Sequence, residues 1–212
     1  MFMNTLIIAV CSCLLSSFFV LSASFCLSRL RFKLRKPYMN MAMILGLFPG
    51  FMSMVAVYFI LKAVGLTEGN NVRFALILCY SGGAALGFQI IKGFFDTMPK
   101  ELDEAALIDG CTRWQIFTRI ILPLSKPIII YQILTSFTAP WVDFIFAKVI
   151  CRANADQYTI AIGLWRMLEK EYIDNWYTSF AAGSVLISIP IAILFLNLQK
   201  YYVNGMAGAV KG

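Results

Sequence analysis

The stretch ELDEAALIDGCTRWQIFTRIILPLSKP, Glu101–Pro127, decides how this chain is read. It is polar and charged, while the chain on either side is oily. Thr97 and Pro99 supply a helix start, since proline is tolerated in a first turn. Glu101, Asp103 and Glu104 follow at the positive end of the helix dipole, which favours carboxylates. Gly110 can take the left-handed conformation that ends a helix. Thr112 and Gln115 fit a capping box that opens a second helix. Trp114, Phe117 and Ile121 form its apolar stripe, Pro123 ends it, and Ser125-Lys126-Pro127 opens the next element. On the first helix Leu102, Ala105, Ala106 and Asp109 share a face, most of it small. The spacing predicts a helix–turn–helix with one small, oily face. Two covers suit that face: a membrane surface on which the pair lies, or a protein groove that takes it.

The surroundings favour a membrane. Of 212 residues, 60% are hydrophobic and 14% are charged, against about half and a quarter in a soluble domain. Five stretches are long enough to cross a hydrocarbon core of ~30 Å as helices. They run about Asn4–Leu27, Met39–Leu61, Phe74–Ile91, Pro127–Ala147 and Phe180–Leu198. None alternates apolar and polar residues as a membrane strand does. The expected architecture is all-α, a single transmembrane unit over residues 1–212. It carries a cytoplasmic segment at 97–126 and a cytoplasmic tail at 199–212.

The net charge of +7 is a topology signal and not a nucleic-acid signal. Arg29, Arg31, Lys33, Arg35 and Lys36 directly follow the first apolar run. With the connection after Ile91 and the tail, twelve of the lysines and arginines fall on one side and six on the other. The richer side is cytoplasmic. The first span then starts outside with no signal pattern before it, which suggests that an upstream span is missing. Between Lys148 and Ser179, Trp165, Tyr172, Trp176 and Tyr177 suit a membrane–water interface. A short helix is expected there from the spacing of Ile160, Leu164, Met167 and Leu168.

The sequence has no histidine, and so lacks the commonest general base and metal ligand. Its cysteines are read as packing residues; Cys11 and Cys13 point to different helix faces. No metal site is expected, and no catalytic residue.

Glu104-Ala105-Ala106, three residues, Gly110, nine residues, then Ile120-Ile121-Leu122-Pro123 resembles the EAA signature of ABC import permeases. The resemblance implies a coupling helix that docks in a groove of a separate ATP-hydrolysing subunit. Glu104, Ala105, Ala106, Gly110, Leu122 and Pro123 are the residues it assigns to that contact. Glu104 would meet a basic residue of the ATPase, and Gly110 would permit the tight turn. Further resemblance runs through "YSGGAALGFQIIKGFF" (Tyr80–Phe95), "PWVDF" (Pro140–Phe144), "YTIAIGL" (Tyr158–Leu164) and the tail "YYVNGMAGAVKG" (Tyr201–Gly212). These look like the carbohydrate branch, and the first and last like the maltose/maltodextrin-type inner-membrane subunit. In that group the tail reaches the interface of the ATPase subunits, whereas its glycine-rich composition alone favours disorder. Members of the group usually have six spans and start inside; the first apolar run here looks like the second of those spans.

The implied partners are a second permease subunit, a pair of ATP-binding subunits, an extracytoplasmic sugar-binding protein and the bacterial cytoplasmic membrane, with no nucleic acid. The chain lacks a G-x-x-x-x-G-K-[ST] phosphate loop, so ATP and magnesium are expected on the partner and no cofactor on this chain. Malto-oligosaccharide is the expected cargo, with another oligosaccharide or a glycerol-phosphate-like solute as alternatives. So is a membrane protein outside this family with a surface helix pair. A membrane enzyme would need a paired acid–base cluster within the spans, and a secondary transporter a buried ionisable pair; neither is visible.

Two features suggest a path. Gln132, Thr135, Ser136, Ala139 and Asp143 fall on one helical face, lining either a pore or a packed subunit interface. Pro49-Gly50 breaks the second span, as a gate or as a packing kink. Ala9, Ser12 and Ser16 read as a small helix-packing face.

Overall fold

A computed structural model describes residues 1–47, 50–84, 87–152, 154–169 and 173–209. Among them the regular structure is helical: α1 (Phe2–Arg29), α2 (Arg35–Gly46), α3 (Gly50–Ala63), α4 (Asn71–Ala84), α5 (Phe88–Asp96), α6 (Glu101–Ile108), α7 (Arg113–Ile116), α8 (Leu122–Leu124), α9 (Lys126–Val142), α10 (Ile145–Cys151), α11 (Ile160–Met167) and α12 (Ile173–Ala209). A π-helical turn, Phe117–Ile121, joins α7 to α8.

The central element is α1, packed against α4, α5 and α9. At ~1.5 Å per residue it is about 42 Å long. Its expected small face is buried: Ala9, Ser12 and Ser16 are at most 1% exposed. Small residues let neighbouring helices approach closely, and Ser16 turns its hydroxyl back to the carbonyl of Cys13. Two apolar cores sit at opposite ends of α1. One gathers Ile8 with Leu76, Ile150, Tyr158 and Ile162. The other gathers Val20 and Phe25 with Phe88, Phe95, Ile116, Phe117 and Ile121.

Among the described residues three helical stretches are long and apolar enough to cross a membrane: Phe2–Arg29, Asn71–Asp96 and Asn175–Gln199. They correspond to the first, third and fifth expected spans. The second is divided between α2 and α3, and Pro49 itself lies outside the described residues. The fourth, α9, is only 17 residues long and meets the α7–α8 rod at 83°. The sequence reading ran this span on to Ala147, but the helix stops at Val142. Pro140 removes one backbone donor, and Asp143 leaves the helical region with ψ 109°. Its Oδ1 then accepts the N–H of Phe146 at 3.0 Å, which starts α10.

The expected helix near Ile160 is α11. Trp165, Trp176 and Tyr177 are all about half exposed, which suits an interfacial belt, and Tyr172 lies outside the described residues. The tail continues α12 to Ala209, and residues 210–212 lie outside the described residues.

Candidate functional site

The cytoplasmic segment is built from strong local signals. Gly110 has φ +81°, and the turn it makes closes α6 with two hydrogen bonds. Cys111 N–H reaches Ala106 O at 2.9 Å, and Gly110 N–H reaches Leu107 O at 3.1 Å, the pattern of a Schellman motif. The Thr112–Gln115 capping box forms in both directions, at 2.7 and 3.3 Å.

Three sequence expectations need correction here. Thr97 does not start α6; its hydroxyl caps the preceding helix at Phe94 O, and α6 starts after Lys100 with no side-chain cap. Pro123 does not end the second helix. The π turn before it widens the backbone path, which relieves the clash of a proline ring with the preceding turn. The chain bends only at Ser125. Finally, the apolar stripe is divided. Phe117 and Ile121 are buried with Ile116, whereas Trp114 is 63% exposed. Phe117 faces Phe25, their rings 4.8 Å apart, and its ring lies 5.6 Å from that of Trp114.

The residues assigned to coupling also divide. Glu104, Ala105, Gly110 and Pro123 are exposed, but Ala106 is buried and Leu122 half-buried. Ala106 belongs to the inner core, with Phe95 and Ile116. The outward surface of the pair carries Leu102, Glu104, Ala105, Ile108 and Trp114, with Ile108 86% exposed. The resemblance assigns Ala106 to the contact, and the sequence cannot show which side of α6 meets α1.

Beneath the pair lies a charged cluster that the sequence reading missed. Arg29 Nε stands 3.3 Å from Asp103 Oδ2, with both side chains buried, and Arg29 Nη2 donates to Met98 O. Ser28 donates to Asp96 Oδ1 at 2.6 Å, and Lys92 pairs with the other oxygen of Asp96. The end of α1 is thereby fastened to α5 and α6. The only sequence signal was Arg29 itself, which also serves as a topology charge.

The polar face of α9 lines one side of a cavity of about 450 Å³. Gln132, Thr135, Ser136, Ala139 and Asp143 all border it, facing Tyr80 on α4. Tyr80 donates its phenol proton to Asp143 Oδ2 at 2.8 Å. Thr135 and Ser136 direct their hydroxyl protons to the carbonyls of Tyr131 and Gln132. The Thr135 hydroxyl keeps free lone pairs for a polar solute, whereas that of Ser136 lies 3.5 Å from Cys13 Sγ on α1. Tyr131 and Phe146 add aromatic walls. Gln132 and Ser136 are nevertheless buried, so the face is partly a helix contact.

Residues 5–208 match the sequence profile of the binding-protein-dependent transport system inner membrane component. The chain is 38% identical over 191 residues to the galactooligosaccharides transport system permease protein GanQ of Bacillus subtilis, covering 89% of this chain and 66% of that protein. It is 36% identical over 210 residues to the maltodextrin transport system permease protein MdxG of the same organism, covering 99% and 74%. Against the maltose/maltodextrin transport system permease protein MalG of Salmonella typhimurium, identity is 36% over 195 residues, covering 90% and 65%. The chain thus spans about two thirds of the length of these relatives. A solved bacterial ABC transporter involved in import of the acidic polysaccharide alginate shares the fold at TM-score 0.78 and 21% identity, covering 95% of this chain and 74% of that one.

Proposed function

The chain belongs to the family of binding-protein-dependent transport system inner membrane components, and from that premise we propose that it is a permease subunit of an ATP-driven oligosaccharide importer. The observation that carries this is the capped helix pair α6–α8. It presents Glu104, Ala105, Ile108 and Trp114 outward while its inner side shares one core with α1 and α5. An ATPase subunit holds the outward side in a groove, and Glu104 meets a basic residue there. Hydrolysis moves the groove. Because Ala106, Ile116 and Phe117 pack with Phe25, Phe88 and Phe95, the displacement passes to α1 and α5. Close-packed interiors transmit such shifts instead of absorbing them. The cavity that α9 shares with α4 and α5 then changes its access, and its polar face from Gln132 to Asp143 lines half of the path. A second permease subunit supplies the other half, a binding protein delivers the sugar, and the partner ATPase holds ATP and magnesium. This chain binds and moves its cargo without making or breaking bonds in it.

Malto-oligosaccharide is the first cargo reading, supported by the resemblance of Tyr80–Phe95 and of the tail. Galacto-oligosaccharide is the second, supported by 38% identity to a galactooligosaccharide permease. Deleting the chain from its host and measuring uptake of labelled maltodextrin and galacto-oligosaccharide separates them. Loss of maltodextrin uptake alone supports the first reading, and loss of the other alone supports the second. Normal uptake of both, with sugar-stimulated ATPase intact in the membranes, would sink the importer reading for these sugars.

A further inference from the structure

We propose that the groove between the end of α1 and the start of α6 is a binding site for the phosphodiester headgroup of an anionic phospholipid of the cytoplasmic leaflet. The groove encloses about 730 Å³ and is lined by five cations: Arg29, Arg31, Arg35, Lys100 and Arg113. Two carboxylates, Asp103 and Glu104, also border it, which leaves a net formal charge of three positive. Of the five cations only Arg29 forms an ion pair among the described residues.

Arg29 supplies the built part of the site. Its side chain is 2% exposed, yet Nη1 has no hydrogen-bond partner and Nε has only the charge of Asp103 beside it. A buried guanidinium with an unused donor is costly unless an acceptor arrives. A phosphodiester supplies that acceptor, because its oxygens match the planar fork of arginine and spread charge over the neighbouring cations.

The position selects a lipid over a water-borne anion. Arg29 is the last residue of an apolar span, so the groove opens where that helix ends. Among its cations the groove also carries the apolar side chains of Leu30, Leu107 and Phe32, the last 45% exposed. Apolar side chains interleaved with arginines favour the headgroup–acyl boundary over bulk water. Basic clusters directly cytoplasmic of a span attract anionic lipid at close range. The proposal does not rest on the transport reading.

The test uses the full chain in neutral detergent micelles, with bound lipid counted by native mass spectrometry. The probes are dioleoyl-phosphatidylglycerol, dioleoyl-phosphatidylcholine and inorganic phosphate. One phosphatidylglycerol should be retained in preference to phosphatidylcholine. The triple variant Arg31→Gln/Arg35→Gln/Arg113→Gln should weaken its retention by roughly a hundredfold, since each cation near a headgroup contributes a factor of about five. The double variant Lys33→Gln/Lys36→Gln, whose residues lie outside the groove, should retain the lipid nearly as well as the unaltered chain. Three results would overturn the proposal: no preference for phosphatidylglycerol, equal losses in both variants, or displacement of the lipid by millimolar inorganic phosphate. Circular dichroism of both variants guards against misfolding, because none of the five substituted residues is buried in either core.

Discussion

The two ends of α1 are held by different physics. At one end hydrogen bonds do the holding, most of them made by neutral side chains. Asn4 donates to Asp156 O at 2.7 Å, and the hydroxyl of Thr5 accepts the N–H of Ile160 at 2.8 Å. Gln157 joins the same end, bonded to both Arg73 and Asn70. At the other end charges meet charges: Arg29 with Asp103, and Lys92 with Asp96. There Arg29 Nη1 and Asp103 Oδ1 stay unpaired. A network of hydrogen bonds spread over several loops and helices fixes one arrangement, even with the buried Thr159 hydroxyl left unpartnered. A buried ion pair with spare donors and acceptors can exchange partners at lower cost. The first suits an end that stays still, and the second suits an end that receives movement from α6.

Breaking the charged end should give the largest effect. Asp103→Ala strands the buried Arg29, and such a loss costs ~3–5 kcal/mol. Thermal unfolding of the purified chain in micelles should shift strongly downward. The double variant Arg29→Met/Asp103→Leu should recover most of that loss, since a packed apolar pair replaces an ion pair at little cost. If Asp103→Ala unfolds like the unaltered chain, the pair is wet and the contrast between the ends fails.

Glu104 sharpens the same end from its outer side. It is exposed, so Glu104→Ala should leave stability and membrane yield unchanged. If it meets a basic residue in a partly dry groove, its removal should weaken ATPase attachment by ~2–5 kcal/mol. Copurification of the ATPase and sugar-dependent hydrolysis read this directly. Normal attachment and normal transport would leave the helix pair as a surface anchor only.

The neutral end should respond less. Thr5→Val keeps the shape of a fully buried side chain but removes the acceptor for Ile160 N–H. An orphaned buried donor costs ~1–3 kcal/mol. The same unfolding assay should rank Thr5→Val below Asp103→Ala; the reverse order would invert the comparison.

What could be read in the sequence was local. The Gly110 turn and the Thr112–Gln115 box each depend on residues within one or two turns, and both formed as expected. The polar face of α9 was also legible, because five residues at helical spacing stay on one side of any straight helix. Tertiary information was not. Ala106 and Phe117 turn inward, which was not legible because the sequence does not show where α1 lies. Pro123 failed to end its helix because the π turn before it leaves no mark in composition. The break at Asp143 needed the knowledge that its carboxylate caps α10. The Arg29–Asp103 pair joins residues far apart in the chain, and each alone had a sufficient explanation, one as a topology charge and the other as a first-turn acid.

Gly110 gives a small expected effect on the chain itself and the finest division between its two surroundings. A Cβ built there meets nothing within 4 Å, so no neighbour in this chain resists a side chain. Only the backbone does: at φ +81° an L-residue is strained by ~1–2 kcal/mol. Gly110→Ala should therefore lower stability slightly, and Gly110→Asn less, because asparagine tolerates the left-handed region. Gly110→Leu should be no worse than alanine in unfolding of the isolated chain, since the space is open. In the assembled importer the two should part. If the turn abuts the wall of an ATPase groove, leucine should detach the ATPase while alanine keeps it. Equal unfolding losses with unequal attachment would show that the glycine serves the contact as well as the turn. Equal attachment for both variants would leave the glycine a local role only, and would place the groove wall elsewhere on α6.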